Sequence, residues 1–355
     1  MTIRVIQWAT GSLGKTCLRQ VIEHPDLELV GLYVYSEGKV GKDAGEIARR
    51  PPTGVKATND VEEILALDAD VVLHLPLNPP ASLDEHDEIL RRLLRSGKSV
   101  ITTVAHTFPQ AEGEEYAARF EEACREGNSV LFGTGINPGF IAERVSVMLT
   151  GACANVDRVK VTEIYDVTDV QSPGFIFDLM GIGRSVEEVA NGPRARKIFH
   201  HIFGEVVAYI GHAMKVEFSE IRADHEFAVA ERDIMLPAGP VAKGGVVNFR
   251  WRFHGIRDGE PFFTIQMLWI ADRSIAGWDV SDGWEIEIDG APGYRARIDL
   301  VEPVGMPDRS KAMQYCVAGT VIRAIPEVMK APPGILVQPA FGAWSPRMEA
   351  GGREL

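Results

Sequence analysis

Short, continuously apolar segments alternate with amphipathic segments over the first 135 residues, and this alternation constrains the fold strongly. Strand-like segments, with the length and apolar content of buried strands, are ADVVLHLPL, SVITTV and SVLFGTG. Helical periodicity is found between them, in DEHDEILRRLLRSGKS and EGEEYAARFEEACREGN. Strands that are buried on both faces and separated by helices form parallel sheets. We therefore predict a Rossmann-type, doubly wound α/β domain over residues 1–135.

The stretch RVIQWATGSLGKT joins the first predicted strand to the first predicted helix through a turn of small residues. In the G-x-G-x-x-G fingerprint of dinucleotide-binding domains, Ala9 takes the first glycine's place, and Gly11 and Gly14 keep the second and third. The second glycine leaves room for a pyrophosphate, which would face the free N–H groups of the helix start. We predict cofactor contacts from this turn, at Thr10, Gly11, Ser12, Leu13 and Gly14. A turn with only a structural role is the alternative.

The end of the second strand distinguishes NADP from NAD, because an acidic residue there bonds the ribose diol of NAD and repels a 2′-phosphate. In YVYSEGKVGKDAG, Tyr35 and Ser36 occupy the strand end, and Lys39 follows in the loop. A hydroxyl and an ammonium group suit a 2′-phosphate, which favours NADP as the cofactor. Glu37 leaves NAD open, since its carboxylate could bond the diol instead.

The pattern changes after GINPGF, where several longer segments alternate apolar and polar residues. Strands of an antiparallel sheet are predicted in EFAVAERDIML, VVNFRWRFHGIRD, PFFTIQMLWIAD and GWEIEIDG. Asp-Gly pairs at 258–259 and 289–290 predict hairpin turns. We expect an α+β domain over residues 136–308, with a largely antiparallel open sheet, for substrate binding and dimerisation. Residues 309–355 are expected to form a helix, broken at Pro326, and a tail, both packed on the first domain.

The formal net charge of -13 argues against nucleic acid or an anionic membrane surface as a partner. The 4 cysteines are scattered without a CxxC pair, so we expect buried thiols in a reducing compartment, and neither a disulfide framework nor a zinc site. The chain enters a strand almost at once, which leaves no room for a signal peptide, and no apolar run is long enough to span a bilayer. We therefore expect a cytoplasmic protein without a bound metal.

Several stretches together resemble one family. The resemblance lies in ELVGLYVYSEGKVGKDAGEIA, DVVLHLP, VITTV, GTGINPGFI, DRVKVTEIYDVTD and RAIPEVMKAPPGI, and thus covers nearly the whole chain. These segments are similar to those of the 2,4-diaminopentanoate dehydrogenase group, which includes the native amine dehydrogenases and is also called dihydrodipicolinate reductase-like. The most specific parts are YSEGKVGKDAGE and GTGINPGF.

This resemblance implies an NAD(P)-dependent oxidoreductase that acts at a C–N bond of a small carbonyl or amine substrate. It also implies a homodimer, formed through the sheet of the second domain. The nicotinamide is implied to lie near HLP and GTGINPG, which contain His74, Leu75, Asn137 and Pro138. Thr103, at the neighbouring strand end, is predicted to join these cofactor contacts.

One departure from the family concerns the chemistry. The resemblance implies a glutamate after the TT strand end, where it would hold ammonia or an amine, but this chain has Ala105 followed by His106. His106 is the predicted acid or base, because an imidazole suits proton transfer to a carbonyl or imine. Glu163 and Tyr165 fall on one face of a strand and are further catalytic candidates. Asn137 is another, which would position the substrate or only cap a helix.

These observations leave three functions open. The first is hydride transfer to or from a C=N carbon, as in reductive amination. The second is a ketone or alcohol oxidoreductase without amine activity. The third is a non-catalytic NADP-binding protein.

Overall fold

The structure is a computed structural model and describes residues 2–77, 83–192, 199–305 and 310–347. The chain forms two compact units. The first unit comprises Met1–Phe140 and Leu300–Val337, and the second comprises Ile141–Asp299 and Gln338–Leu355.

These units divide the chain differently from the predicted domains. The predicted third segment, residues 309–355, is divided between the two units. Its helix belongs to the first unit, and the chain from Gln338 onward belongs to the second. The tail is held there by hydrogen bonds, because the Tyr209 hydroxyl donates to the Gln338 carbonyl and the Trp344 N–H donates to Thr150 Oγ1. The predicted limit between residues 308 and 309 lies outside the described residues.

The described strands are β1 (Ile3–Trp8), β2 (Leu27–Tyr33), β3 (Ala57–Thr58), β4 (Val71–His74), β5 (Ser99–Thr102), β6 (Val130–Gly133), β7 (Asn155–Asp166), β8 (Glu220–Val229), β9 (Ile234–Leu236), β10 (Gly239–Val241), β11 (Val246–Arg257), β12 (Glu260–Ile270), β13 (Gly283–Ala291), β14 (Tyr294–Ile298) and β15 (Gly334–Ile335). The described α-helices are α1 (Ser12–Glu23), α2 (Ala44–Ala48), α3 (Val61–Ala66), α4 (Leu83–Arg95), α5 (Glu114–Gly127), α6 (Val147–Thr150), α7 (Val186–Asn191), α8 (His200–Met214) and α9 (Ala312–Lys330).

A parallel sheet forms the centre of the first unit. Its seven described strands lie in the order β15-β6-β5-β4-β1-β2-β3, and every neighbouring pair is parallel. Five of these strands are predicted from the sequence. The other two, β3 and β15, are only two residues long and are too short to show any periodicity.

Helices cover both faces of this sheet, as the alternation predicts. On one face, Cys17 of α1 packs in a buried cluster with Val321 and Ile325 of α9. On the other face, Leu90 of α4 and Phe120 of α5 belong to a second buried cluster. The Rossmann-type arrangement of the first unit follows from these two apolar layers.

The last helix is continuous where the sequence predicts a break. Helix α9 runs through Pro326 to Lys330. A proline inside a helix removes one N–H donor and crowds the preceding turn. Ile325 and Val328 on either side are buried, so their packing maintains the helix despite that loss. The predicted break is therefore wrong.

The second unit is built on a mixed sheet with the described strand order β14-β13-β7-β12-β11-β8. Its neighbouring strands are antiparallel, except that β7 and β12 are parallel, which agrees with the predicted largely antiparallel sheet. Residues 258–259 form the predicted hairpin turn between β11 and β12. Residues 289–290 instead lie inside β13 at a shift of register, so the turn predicted there is wrong. An Asp-Gly pair also suits a bulge, and the chain reverses two residues later.

One face of this second sheet packs against α8. The rings of Phe203 on α8 and Phe253 on β11 have centroids 5.6 Å apart. Val206, Val207 and Ile210 of α8 are completely buried. No helix within the described ranges combines the length and the apolar character needed to cross a lipid bilayer.

Candidate active site and cofactor site

The predicted cofactor turn connects β1 to α1. Gly11 is the N-cap residue of α1, and a Cβ added there would have no atom within 4 Å outside the adjoining residues. Gly14 packs directly on the strand end, since a Cβ there would lie 2.4 Å from the Ala9 carbonyl oxygen. Ser12 and Leu13 form the first turn of α1, where the N–H groups have no partner within the helix.

The first position of the turn, where the fingerprint has a glycine, is occupied by Ala9. Ala9 has a φ of 78°, in the left-handed region that usually requires glycine. Its side chain is a single methyl group, and the residue is buried at the end of β1. Alanine thus occupies the first position of the predicted turn with a backbone φ that is typical of glycine.

Lys39 lies against this turn. Its Nζ atom donates to the Thr10 carbonyl oxygen at 3.0 Å and to Thr10 Oγ1 at 2.9 Å. Burial lowers the pKa of Lys39, and the positive charges of Lys15 and Lys42 lower it further. Three lysine ammonium groups are thus close enough to interact beside the turn, in a chain whose net charge is -13. Positive charge is therefore concentrated around Lys39, next to the predicted phosphate-binding turn.

Tyr35 and Ser36 follow β2, and both side chains are exposed. The Trp8 indole N–H donates to the Tyr35 hydroxyl at 2.9 Å, which fixes the exposed ring beside β1. Glu37 accepts a hydrogen bond from Asn59 Nδ2 at 2.8 Å. Glu37, the acidic residue that could instead bond the ribose diol of NAD, is therefore hydrogen-bonded to a neighbouring side-chain amide.

Three further predicted cofactor residues meet at the carboxyl ends of β4 and β5. His74 Nδ1 lies 3.1 Å from Thr102 Oγ1, and the Thr103 N–H donates to the His74 carbonyl oxygen. The N–H of Leu75 donates to the carbonyl oxygen of Trp8. Burial lowers the pKa of His74 to about 3, with a contribution from the positive charge of His106. His74 is therefore neutral at neutral pH.

His106 lies in the loop after β5, and its side chain is completely buried. Its Nδ1 donates to the Val104 carbonyl oxygen at 3.0 Å, and its Nε2 lies 3.1 Å from Asp87 Oδ1. The Tyr116 hydroxyl donates to Asp87 Oδ2 at 2.9 Å. Burial raises the pKa of Asp87, but the hydrogen bond and charge of His106 and the bond from Tyr116 leave it below its ordinary value. The role of His106 as an acid or base toward substrate stays a prediction.

His86 joins Asp87 and His106 in a group of potential metal ligands, with one ligand atom from each lying within 4.8 Å of the others. A metal would need a lone pair on His106. The Val104 carbonyl and an ionised Asp87 carboxylate accept from its two nitrogens, and the Tyr116 hydroxyl, 3.3 Å from Nε2, donates to Asp87. This is the hydrogen-bond pattern of an ion pair, and we assign no metal to it.

Asn137 and Pro138 are half-buried in the turn after β6 and are joined by a cis peptide bond. Gly139 allows this turn to be compact, because a Cβ there would lie 2.4 Å from the Gly135 nitrogen. The helical segment that follows begins at Ile141. Asn137 therefore lies four residues before the first residue of that segment, and its role stays a prediction.

The remaining catalytic candidates, Glu163 and Tyr165, lie on β7 in the second unit. Glu163 is buried, and its two carboxylate oxygens accept from the indole N–H groups of Trp269 at 2.9 Å and Trp284 at 3.2 Å. Burial raises the pKa of Tyr165 to about 12, and neighbouring carboxylates add to the effect. The Tyr165 hydroxyl thus stays protonated at neutral pH and can donate a hydrogen bond.

Sequence interpretation missed Asp87 and Tyr116. A signal for Asp87 was present, because it lies three and seven residues before Leu90 and Leu94 and so falls on the buried stripe of α4. A carboxylate on such a stripe needs a buried partner. His106 is that partner.

The two units define a class of enzyme. A parallel Rossmann-type sheet carries a glycine turn with an adjoining lysine, and a separate mixed sheet follows, which is the plan of an NAD(P)-dependent oxidoreductase. The chain belongs to the family described as 2,4-diaminopentanoate dehydrogenase C-terminal domain, whose model matches residues 140–341. A second family model, described as dihydrodipicolinate reductase, N-terminus, matches residues 3–112.

Relatives match along nearly the whole chain. An amine dehydrogenase of Streptomyces virginiae is 26% identical, covering 96% of this chain and 98% of that protein. A 2,4-diaminopentanoate dehydrogenase of Acetoanaerobium sticklandii is 25% identical, covering 94% and 91% respectively. Among solved structures, the amine dehydrogenase from Mycobacterium smegmatis has the same fold, with a TM-score of 0.76, 20% identity and 95% coverage of both chains. The predicted family, fold class and NAD(P)-dependent oxidoreductase class are confirmed.

Proposed function

We propose that the chain transfers hydride between NADPH and the C=N carbon formed from a small carbonyl compound and ammonia or an amine. The observation that carries this proposal is that each family-model match contains one part of the site. The reductase-type match contains the glycine turn, and the diaminopentanoate dehydrogenase match contains a buried, hydrogen-bonded carboxylate, Glu163. The relatives that match over nearly their full lengths are named as amine and diaminopentanoate dehydrogenases.

The residues of the first unit fit a dinucleotide. The open space at Gly11 leaves room for a pyrophosphate beside the start of α1, whose N–H groups would hold it. When bound, a nicotinamide cofactor supplies or accepts the hydride. Lys39, with Lys15 and Lys42 nearby, is the proposed partner of a 2′-phosphate, while Glu37 bonds Asn59. These contacts support NADP over NAD.

Glu163 is the proposed group that binds the amine nitrogen. Two indole N–H groups fix its two oxygens in place. A fixed carboxylate next to the amine nitrogen would stabilise the positive charge of an iminium-like transition state. Tyr165, which stays protonated at neutral pH, is the proposed hydrogen-bond donor to the substrate, and Asn137 the proposed polar group that positions it.

A second candidate function is the reduction of ketones without amine activity. Ala105, at the position where the family resemblance implies a glutamate, is buried and carries no polar group. This observation favours carbonyl chemistry if Glu163 has only a structural role.

The test measures initial rates of NADPH and NADH oxidation with a panel of small ketones and aldehydes, each with and without ammonium chloride. Mass spectrometry then detects the amine product. We expect oxidation of NADPH that depends on ammonium and yields an equimolar amount of amine. NADPH oxidation at the same rate with and without ammonium would instead support ketone reduction without amine activity. Tight NADPH binding without turnover of any panel member would show a non-catalytic NADP-binding protein.

We also propose a homodimer formed through the sheet of the second unit, which the family resemblance supports. Light scattering at several protein concentrations should give twice the mass of the chain, and a single-chain mass at all of them would refute the dimer. The cytoplasmic location, and the expectation that neither nucleic acid nor a membrane is a partner, stay predictions.

A further inference from the structure

The loop of residues 103–107, which follows β5, has a conformation that needs support. Ala105 and His106 are consecutive non-glycine residues with φ values of 52° and 61°. L-residues enter this left-handed region at a cost, because the Cβ atom approaches a carbonyl oxygen. Such a conformation persists only where the surroundings hold it, and it is found often at functional sites. This loop lies at the carboxyl edge of the parallel sheet, where Rossmann domains bind their cofactor.

The backbone of the loop rests on neighbouring strands. A Cβ on Gly133, at the end of β6, would lie 2.2 Å from the His106 carbonyl oxygen, so only a glycine permits this close approach. At the start of the loop, the Thr103 N–H donates to the His74 carbonyl oxygen. The next N–H, of Val104, donates to Thr102 Oγ1 at 3.1 Å. Ala105 and His106 therefore follow two hydrogen-bonded residues, Thr103 and Val104, and the His106 carbonyl packs against Gly133.

Side-chain support for the strained pair comes from the His106 ring. One nitrogen bonds within the loop, to Val104, and the other reaches Asp87 on α4. Tyr116 on α5 holds the second carboxylate oxygen of Asp87. Phe120, also on α5, contacts the ring edge-on, with centroids 4.9 Å apart. Two helices thus fix one ring, and the ring fixes the loop.

We propose that His106, Asp87 and Tyr116 form a positioning unit that holds loop 103–107 at the cofactor edge, and that His106 acts as a doubly protonated anchor and not as the proton donor to substrate. The Val104 carbonyl and an ionised Asp87 carboxylate both accept hydrogen bonds, and a ring that bonds both is doubly protonated. The Tyr116 hydroxyl also lies 3.3 Å from His106 Nε2, but it donates its proton to Asp87 at the shorter distance of 2.9 Å. The lowered pKa of Asp87 agrees with an ionised carboxylate there. The unit acts on the reaction through the backbone of Thr103 and Ala105, and this effect rests on the proposed function.

The charge state of the ring is tested without any substrate. Nitrogen NMR of the histidine side chains, with His106 assigned by its loss in His106→Gln, reports how many ring nitrogens carry protons. We expect two protonated nitrogens for His106 at neutral pH in the wild type, and one in Asp87→Asn. A wild-type ring with one protonated nitrogen at neutral pH would overturn the proposal, whatever the enzyme turns out to reduce.

The positioning role is tested by kinetics on the best substrate of the panel. Tyr116→Phe removes only a hydroxyl, and Asp87→Asn keeps the shape of the side chain. Each is expected to lower kcat by about 10-fold, the scale of losing a group that orients an active-site residue, with NADPH affinity within about 2-fold. Glu88→Gln, which alters an exposed carboxylate on the same helix, is the matched control and should match the wild type.

The pH–rate profile separates positioning from proton donation. A positioning residue lowers the rate at every pH and leaves the limbs of the profile in place, which is the result we expect for His106→Gln. Loss of one limb in His106→Gln, with normal rates in Asp87→Asn and Tyr116→Phe, would make His106 the proton donor and overturn the proposal. If no panel member is turned over, the proposed function fails, and the NMR result alone decides the role of the ring.

Discussion

The ammonium group of Lys39 lies 2.9 Å from the hydroxyl of Thr10, so the loop after β2 is tied directly to the glycine turn after β1. Both residues are cofactor candidates from sequence, but the contact between them is seen only in the structure. Because Lys39 bonds Thr10 through two atoms, it is held against the turn, where it is the proposed partner of a 2′-phosphate. This relationship makes the cofactor preference testable.

Replacing Lys39 by alanine should weaken NADPH binding by about 1–2 kcal/mol, the scale of a lost charge-assisted hydrogen bond, and leave NADH binding nearly unchanged. Fluorescence titration with both reduced cofactors measures the two affinities. Lys330→Ala, on the exposed side of α9, serves as the control for removal of a lysine charge. Equal losses for NADPH and NADH would mean that Lys39 supports the turn through Thr10 and does not recognise the phosphate.

Two glycines of the turn should respond differently to substitution. Gly11→Val is expected to fold normally, because a Cβ there has no atom within 4 Å outside the adjoining residues and the backbone is extended. It is expected to abolish cofactor binding, because the side chain would occupy the proposed pyrophosphate position. Gly14→Ala is expected to lower the melting temperature, because its Cβ would lie 2.4 Å from the Ala9 carbonyl oxygen. Thermal unfolding with and without NADPH measures both effects. A folded Gly11→Val protein with wild-type NADPH affinity would disprove the cofactor role of the turn.

The features that could be predicted from the sequence are those encoded by residues close together in the chain. The parallel sheet and its glycine turn follow from continuous apolar segments and small residues that are adjacent in sequence. The contact between His106 and Asp87 joins a loop to a helix 19 residues away, and no periodicity encodes such a pairing. The predicted break at Pro326 failed for a related reason, since tertiary packing on both sides of the proline outweighs its local preference.

Burial of His74 predicts a specific dependence of stability on pH. Its pKa is about 3 in the folded protein and 6.5 in an exposed chain, so between these values the unfolded state binds a proton that the folded state excludes. The free energy of unfolding should therefore fall as pH decreases below 6.5, by up to about 1.4 kcal/mol per pH unit from this group.

The variant His74→Gln should lack this contribution and show a shallower decline, even if loss of the bond to Thr102 lowers its stability at every pH. Urea unfolding of both proteins at a series of pH values measures the two slopes. His24→Gln, which removes a partly exposed histidine of the same unit, is the control. Parallel curves for wild type and His74→Gln would show that His74 does not titrate as its burial implies.

Substitution of Glu163 by glutamine should separate amine chemistry from carbonyl chemistry. The amide is uncharged, so it should lower the ammonium-dependent rate by about 10²-fold, the scale of losing one electrostatic contact to a transition state, and spare any ammonium-independent ketone reduction. The amide oxygen can still accept from Trp269, but the NH₂ group would face the N–H of Trp284, so a modest fall in melting temperature is expected as well. Initial rates with and without ammonium, at saturating NADPH, measure the separation. Glu285→Gln removes a carboxylate of β13 that pairs with Arg297 on β14, and it controls for charge loss within the same sheet. If both rates fall together in Glu163→Gln, the carboxylate supports the two tryptophans structurally, and the amine nitrogen must be bound by another group.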